Sequence, residues 1–208
     1  TVLSILVVFW KEILKLLKGV FKFEMNEETV YTLKLIVSMI PVAIVGFTMK
    51  EQVESLFIAD MVITGSFLLV TALFLLIGHF VPKRNKPISY GNAFVIGIAQ
   101  ALATLPGLSR SGSTISTGLM LGNSKDELAR FSFLMVIVPI LGANFLELVT
   151  TETTVVSGVL VPLVIAFVAA FVSGYVACRW MINIVRKGKL GWFALYCILV
   201  GLSLIIFA

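Results

Sequence analysis

Charge in this chain is nearly confined to the gaps between long apolar runs, which leaves few architectures open to it. The runs at 31–49, 58–81, 128–149, 155–177 and 190–207 approach or exceed the ~18 apolar residues that let a helix cross a hydrocarbon core of about 30 Å. With no water at that depth, every backbone N–H and C=O needs an internal partner, so such runs become helices. A further run, 1–10, stops at Lys11 and reads as the tail of a spanning helix that begins before residue 1. No charged n-region or small-residue cleavage site accompanies it, which excludes a secretory signal. At 59% hydrophobic residues and a mean hydropathy of +1.08, a soluble domain is excluded as well. The expectation is an all-α, polytopic membrane protein of about six spanning helices plus one re-entrant helix–loop–helix.

The balance of 16 Lys+Arg against 11 Asp+Glu, a net +5, could suggest a nucleic-acid partner. The basic residues instead gather in short loops, where they set topology, and no nucleic-acid partner is expected. Lys11, Lys15, Lys18 and Lys22 follow the 1–10 run, Lys83, Arg84 and Lys86 the 58–81 run, and Arg179, Arg186, Lys187 and Lys189 the 155–177 run. These place the loops 11–30, 82–89 and 178–189 on the cytoplasmic side and the loops 50–57 and 150–154 outside. Cys178 and Cys197 fall in or beside apolar runs without metal-type spacing and read as small packing residues.

That topology requires residues 90–122 to enter and leave on one side. The apolar flanks, 90–105 and 114–122, would be about 24 Å and 13 Å long as helices, too short to cross. The segment is therefore a re-entrant hairpin with its tip at 106–114. Ser124-Lys125-Asp126-Glu127 reads as a capping box opening the next run. Counting then divides a single transmembrane domain, 1–208, into two inverted repeats. The first, 1–81, lacks a hairpin, which is expected before residue 1; the second, 90–208, carries the hairpin 90–122.

The tip reads Pro106-Gly107-Leu108-Ser109-Arg110-Ser111-Gly112-Ser113-Thr114. Arginine at membrane depth costs about 2.5–3.5 kcal/mol on the most lenient scale, so packing alone is a poor reason for it. Arg110 offers a planar fork to phosphate oxygens. Gly107 and Gly112 permit positive φ and close backbone approach, and Ser109, Ser111, Ser113 and Thr114 add hydroxyls. Thr114–Leu121 is expected to form a short helix, capped by Ser113, whose N-terminus attracts anions. Gln100 and Thr104 share a face of the preceding helix. His79, Asp60 and Glu147 read as interfacial, and Gly118 with Gly122 as a weak helix-packing signal. Phosphoanhydride hydrolysis needs a carboxylate, histidine or metal near the anion, and no such group is expected at the tip.

Ala99-Gln100, Ala103, Pro106-Gly107-x-Ser109-Arg110-Ser111-Gly112-x-Thr114, Phe131-Ser132-Phe133 and Pro139 together resemble the undecaprenyl-diphosphate phosphatases of the bacitracin-resistance family, in order and spacing from Thr1 to Ala208. The resemblance implies a multi-pass enzyme of the bacterial inner membrane that releases phosphate from undecaprenyl diphosphate and so recycles the lipid carrier of cell-wall synthesis. It implies Arg110, Ser109 and Thr114 as catalytic residues, with Gly107, Ser111, Gly112, Ser113 and Gln100 binding substrate. It further implies a divalent cation, Mg or Ca, with ligands not in this chain, and a homodimer as a partner arrangement. The family's paired-glutamate element, and its segment of serines and a histidine, have no counterpart here; Gln100 and Thr104 stand in the corresponding place of the second repeat. These 208 residues are thus expected to hold half of the active site and, alone, to bind diphosphate poorly and hydrolyse it negligibly. The alternative function is a transporter or flippase for an anionic lipid or phosphate-containing substrate.

Overall fold

The computed structural model describes residues 2–57, 61–82, 84–150, 160–188 and 190–207. Helix α1 (Val2–Val8) passes into α2 (Trp10–Val20) through a bend at Phe9. The Phe9 N–H donates to Ile5 O and Ile13 N–H to Phe9 O, both at 2.9 Å. Lys11 therefore does not end the first run, because lysine is itself a good helix former and the hydrogen bonding continues past it. Helix α3 (Glu27–Thr48) starts at Asn26, whose side chain accepts the Thr29 N–H at 2.8 Å. There follow α4 (Lys50–Phe57), α5 (Met61–Phe80), α6 (Tyr90–Leu102), α7 (Arg110–Met120), α8 (Lys125–Leu134), α9 (Ile137–Thr150), α10 (Leu160–Lys187) and α11 (Leu190–Ile206). No strand occurs among the described residues, only an isolated bridge between Lys86 and Asn123.

The all-α, multi-pass architecture is the expected one, with shifted boundaries. Among the described residues, four helical stretches are long and apolar enough to cross a membrane: Glu27–Thr48, Met61–Phe80, Lys125–Phe145 and Val161–Lys187. Helix α11, at 17 residues, is about 26 Å long, slightly under the hydrocarbon thickness. Helix α10 continues well beyond the expected 177, because Cys178, Met181, Ile182 and Val185 still pack on the core. Arg186 and Lys187 thus occupy its last turn, where cations favour the helix dipole. Asp60, Lys83, Glu152, Lys189 and the side chain of Glu147 lie outside the described residues.

The three basic segments meet at one end of the molecule. Lys15 pairs with Glu28 at 3.2 Å and Arg186 with Asp126 at 3.1 Å, and the Ile88 N–H donates to Glu127 Oε1 at 3.2 Å. That last bond corrects the capping-box expectation. Ser124 Oγ does accept the Glu127 N–H at 3.3 Å, but the Glu127 carboxylate turns to the incoming chain rather than back to Ser124.

Small residues set the helix crossings that hold the hairpin. Gly65 of α5 and Gly201 of α11 sit face to face, so that a Cβ on either would lie 2.8–2.9 Å from the other's carbonyl oxygen. Close backbone approach of this kind lets membrane helices associate without a hydrophobic driving force between them. Gly97 of α6 is pressed on α3, with a Cβ there 2.3 Å from Ser38 O. A backbone carbonyl has nowhere to swing. Gly97→Ala is therefore expected to destabilise the protein by about 1–3 kcal/mol through overpacking. Gly142→Ala, with nothing within 4 Å, should be neutral; thermal unfolding of both variants in one detergent checks the contrast.

Candidate functional site

Helices α6 and α7 form the hairpin, and its open end is stitched shut. Lys86 N–H donates to Gly122 O at 3.0 Å and Ser124 N–H to Lys86 O at 3.3 Å. Asn123 adds its side chain, donating to Pro87 O at 3.0 Å and accepting from Asn92 Nδ2 at 3.1 Å. Entry and exit therefore lie together, as a re-entrant segment requires. At 13 and 11 residues the two helices reach only about 20 Å and 17 Å. Helix α7 ends in a Schellman motif: Gly122, at φ +87°, donates to Leu119 O at 2.9 Å and Asn123 to Gly118 O at 3.0 Å. The Gly118/Gly122 pair thus splits its duties, since Gly118 receives Leu128 of α8 and Gly122 terminates the helix.

The tip itself is shorter than the sequence suggested. Residues 103–109 form the turn, and Arg110–Thr114 are already helical. The N-cap is Ser109, whose Oγ accepts the Gly112 N–H at 3.3 Å, and not Ser113. Gly112 misleads a sequence reader, who takes it for a loop glycine. In the structure it is helical, and its missing side chain admits Ser109 Oγ at 3.1 Å and the Thr71 methyl at 3.4 Å from where a Cβ would sit. Arg110 consequently occupies the first position of α7, where unpaired N–H groups and the dipole favour an anion. Its guanidinium is half-buried and has neither ion pair nor hydrogen bond among the described residues.

The other expected site residues divide into two groups. Gly107 (φ +87°), Ser109, Arg110, Ser111 and Gly112 cluster at the mouth of α7. Thr114 and Ser113 lie one turn deeper and are fully buried. The Thr114 hydroxyl is held within α7 by Arg110 O at 2.9 Å and meets Ser132 Oγ of α8 at 2.6 Å. It is thereby a brace between α7 and α8 rather than an open donor, and Ser132 is the partner that makes it so. Ser132→Ala is expected to cost about 1 kcal/mol of stability. In a double-mutant cycle with Thr114→Val the two losses should be non-additive, because both remove the same contact; unfolding midpoints of the four proteins test this.

Gln100 is 2% exposed, and neither its amide nitrogen nor its oxygen has a partner among the described residues. Ser113 Oγ and Ser116 Oγ are likewise buried and open. Buried polar groups are normally bonded, so the hairpin retains hydrogen-bonding capacity near its tip. Thr104, expected to share a face with Gln100, lies in the turn after α6 and returns its hydroxyl proton to Ala101 O at 2.7 Å. His79 stands edge-on to Phe80 and takes no part in the site. One residue escaped sequence reasoning altogether. Thr71, 0% exposed on α5, accepts the Ser109 N–H at 3.0 Å and stands 3.2 Å from Gly107 O. Its signal was a hydroxyl in the middle of an apolar span, set apart from Thr64 and Ser66 near the start of that span. A cavity of about 400 Å³ lies elsewhere, between α2, α3 and α8, lined by Glu12, Lys15, Tyr31, Glu127 and Arg130 among others.

Arg110, expected in a loop ahead of a helix beginning at Thr114, thus stands unpaired on the first turn of α7 in a hairpin too short to span. A family model described as bacitracin resistance protein BacA matches residues 1–203. The chain belongs to the BacA family. Similar relatives named undecaprenyl-diphosphatase include one from Bacteroides fragilis, 51% identical over 99% of this chain and 79% of its own length. Another, from Bacteroides thetaiotaomicron, is 52% identical over 99% and 80%; one from Methanococcus vannielii is 38% identical over 100% and 81%. BacA membership leads one to ask whether the site suits a divalent cation. Hard cations take several oxygen ligands with carboxylates prominent among them. The side chains that cluster with Arg110 at the mouth of α7 offer hydroxyls, and no metal-type cluster occurs among the described residues. That donor set does not fit a divalent cation.

Proposed function

We propose that this chain serves the hydrolysis of undecaprenyl diphosphate to undecaprenyl phosphate and inorganic phosphate, within the bacterial inner membrane. The observation that carries the reading is Arg110, an uncompensated fork at the N-terminus of α7 in the BacA signature loop. In the reaction, water attacks the terminal phosphorus, the bond from that phosphorus to the bridging oxygen breaks, and the protons of the water leave on the inorganic phosphate. The electron pair stays with that oxygen on the lipid phosphate. Charge on the transferring phosphoryl group and the leaving oxygen is what a catalyst must neutralise. The Arg110 guanidinium and the first-turn amides of α7 supply that neutralisation from a fixed position, which is where electrostatic catalysis is strongest.

The hairpin supports a lipid substrate: its tip lies at the end of helices about 17–20 Å long, among spanning helices where a polyprenyl chain can lie. The reciprocal Gly65/Gly201 crossing of α5 and α11 supports the two-repeat reading, since these are the last helices of segments 1–81 and 90–208 and each touches the other with the same atoms. The reaction is tested by phosphate release from undecaprenyl diphosphate in detergent micelles. Release is the expected result when these residues act together with the family's paired-glutamate element, and little or none from the 208 residues alone. No release, together with movement of labelled lipid diphosphate across liposomes, would replace the hydrolase with a transporter.

A further inference from the structure

The phosphate-holding loop does not hold its own shape. Within 103–109 the only backbone bonds that the N–H groups make among the described residues are short-range: Ala103 N–H to Ala99 O at 3.1 Å, and Thr104 N–H to Ala101 O, Leu105 N–H to Leu102 O and Leu108 N–H to Leu105 O, each at 3.2 Å. Between Leu108 and the first turn of α7 the chain must reverse, with Gly107 at φ +87°. At that point it is gripped from outside by one side chain. Thr71 of α5, completely buried, touches three positions of the signature. Its Oγ1 accepts the Ser109 N–H at 3.0 Å, faces Gly107 O at 3.2 Å, and its methyl group lies against Gly112.

A threonine hydroxyl has one proton and two lone pairs. The proton goes either to Gly107 O or to Phe67 O, which stands 3.1 Å away in the same helix. The lone pair toward Ser109 N–H serves in both cases. Ser109 is the N-cap of α7, so fixing its backbone N–H fixes the origin of the helix that carries Arg110. Backbone contact completes the grip: Gly107 lies so close to α5 that a Cβ would stand 2.4 Å from Thr64 O.

Building on the hydrolase reading above, we infer that Thr71 is a positioning residue for the diphosphate: its hydroxyl sets the conformation in which Ser109, Arg110 and the first-turn amides of α7 meet the anion. A wholly apolar α5 would pack as well and would leave the Ser109 amide to choose another partner. The hydroxyl is therefore worth more to the loop than to the fold.

Three variants test this: Thr71→Val, which keeps the shape and removes the acceptor; Thr71→Cys, of similar size with a poor acceptor; and Thr71→Ser, which keeps the hydroxyl. Each is made in the protein that also carries the family's paired-glutamate element, purified in detergent and examined for kinetics with undecaprenyl diphosphate, affinity for inorganic pyrophosphate, and hydrogen exchange of amides 107–113. Because an ångström of misplacement can cost about a hundredfold, Thr71→Val is expected to lower kcat/KM by roughly 10- to 100-fold, chiefly through a raised KM. Its pyrophosphate affinity should fall in parallel, and amides 107–113 should exchange faster. Thr71→Ser should remain within about threefold of the parent on all three, since the hydrogen bond to Ser109 persists. If Thr71→Val does not fold, Thr71→Cys carries the same comparison. A variant lacking the acceptor that melts earlier yet retains parental KM, pyrophosphate affinity and loop exchange would overturn the inference and leave the hydrolase reading standing. Conversely, a parent protein that releases no phosphate, but whose pyrophosphate binding and loop protection depend on the Thr71 hydroxyl, would sink the hydrolase reading and sustain the inference.

Discussion

Arg110→Ala is expected to lower phosphate release by about 10²–10³-fold, the usual loss when one preorganised electrostatic contact to a transition state is removed. The site gives this substitution little to compensate with. The guanidinium has no ion pair or hydrogen bond to surrender among the described residues, so nothing structural collapses when it leaves. Arg110→Lys should recover only part of the activity, because an ammonium is a point charge and lacks the planar fork that grips two phosphate oxygens. The more revealing result is in stability. A charge held half-buried without a partner is a liability to the fold, of about 2.5–3.5 kcal/mol on insertion scales. Arg110→Ala should therefore unfold no earlier than the parent, and its midpoint should rise or stay level. A residue that costs stability and supplies rate is the signature of a functional site. Equal loss of activity and of thermal midpoint would instead make Arg110 a packing residue, contrary to the proposed function.

How much of this was legible beforehand follows from which physical signals are local. The spanning helices α3, α5 and α10 announce themselves through composition, because lipid imposes the same requirement on every residue of a span. The hairpin was legible through arithmetic: two flanks too short to cross, between basic segments that had to share a side. Ser109, Arg110 and Gly107 were found because arginine, hydroxyls and glycine are conspicuous in an apolar setting. What the sequence concealed depended on contacts between distant segments. Whether Ser109 or Ser113 caps α7 turns on whether Gly112 is helical, and part of what packs against Gly112 is Thr71, 41 positions upstream. Thr114 looked like a ligand donor because nothing in its own neighbourhood shows Ser132 standing 2.6 Å away. The capping box was half right for the same reason: the local partner of Glu127, Ser124 N–H, donates to Lys86 O, and Glu127 takes a distant one, Ile88 N–H. In each case the residue type was read correctly and its partner was not.

Gly107→Ala should separate the loop's geometry from the protein's stability more sharply than any change of a polar group. At φ +87° an L-residue sits in the left-handed region, at a cost of roughly 1–2 kcal/mol. Here the strain is compounded, because the new Cβ would lie 2.4 Å from the backbone carbonyl of Thr64 and 3.2 Å from the Phe67 Cβ. Neither is the free end of a flexible side chain, so the loop has to lift from α5. Lifting it draws Gly107 O and Ser109 N–H away from Thr71 and turns the first turn of α7, Arg110 included. The crossings that hold the rest of the hairpin, Gly97 on Ser38 and Gly78 on Ser116, are further along the helices and should survive. Gly107→Ala is accordingly expected to fold, to melt only modestly earlier, and to lose about 100-fold in kcat/KM through misplacement alone. Gly122→Ala makes the comparison internal. It has the same φ of +87°, but its new Cβ would meet only the side chain of Arg84, at 3.2 Å, at the opposite end of α7 from the anion. It should cost about 1–2 kcal/mol of stability for the left-handed conformation and leave KM near the parental value. The pair is read by phosphate release and thermal unfolding on the same preparations; parental kcat/KM in Gly107→Ala would show that the loop need not rest on α5 to hold its substrate.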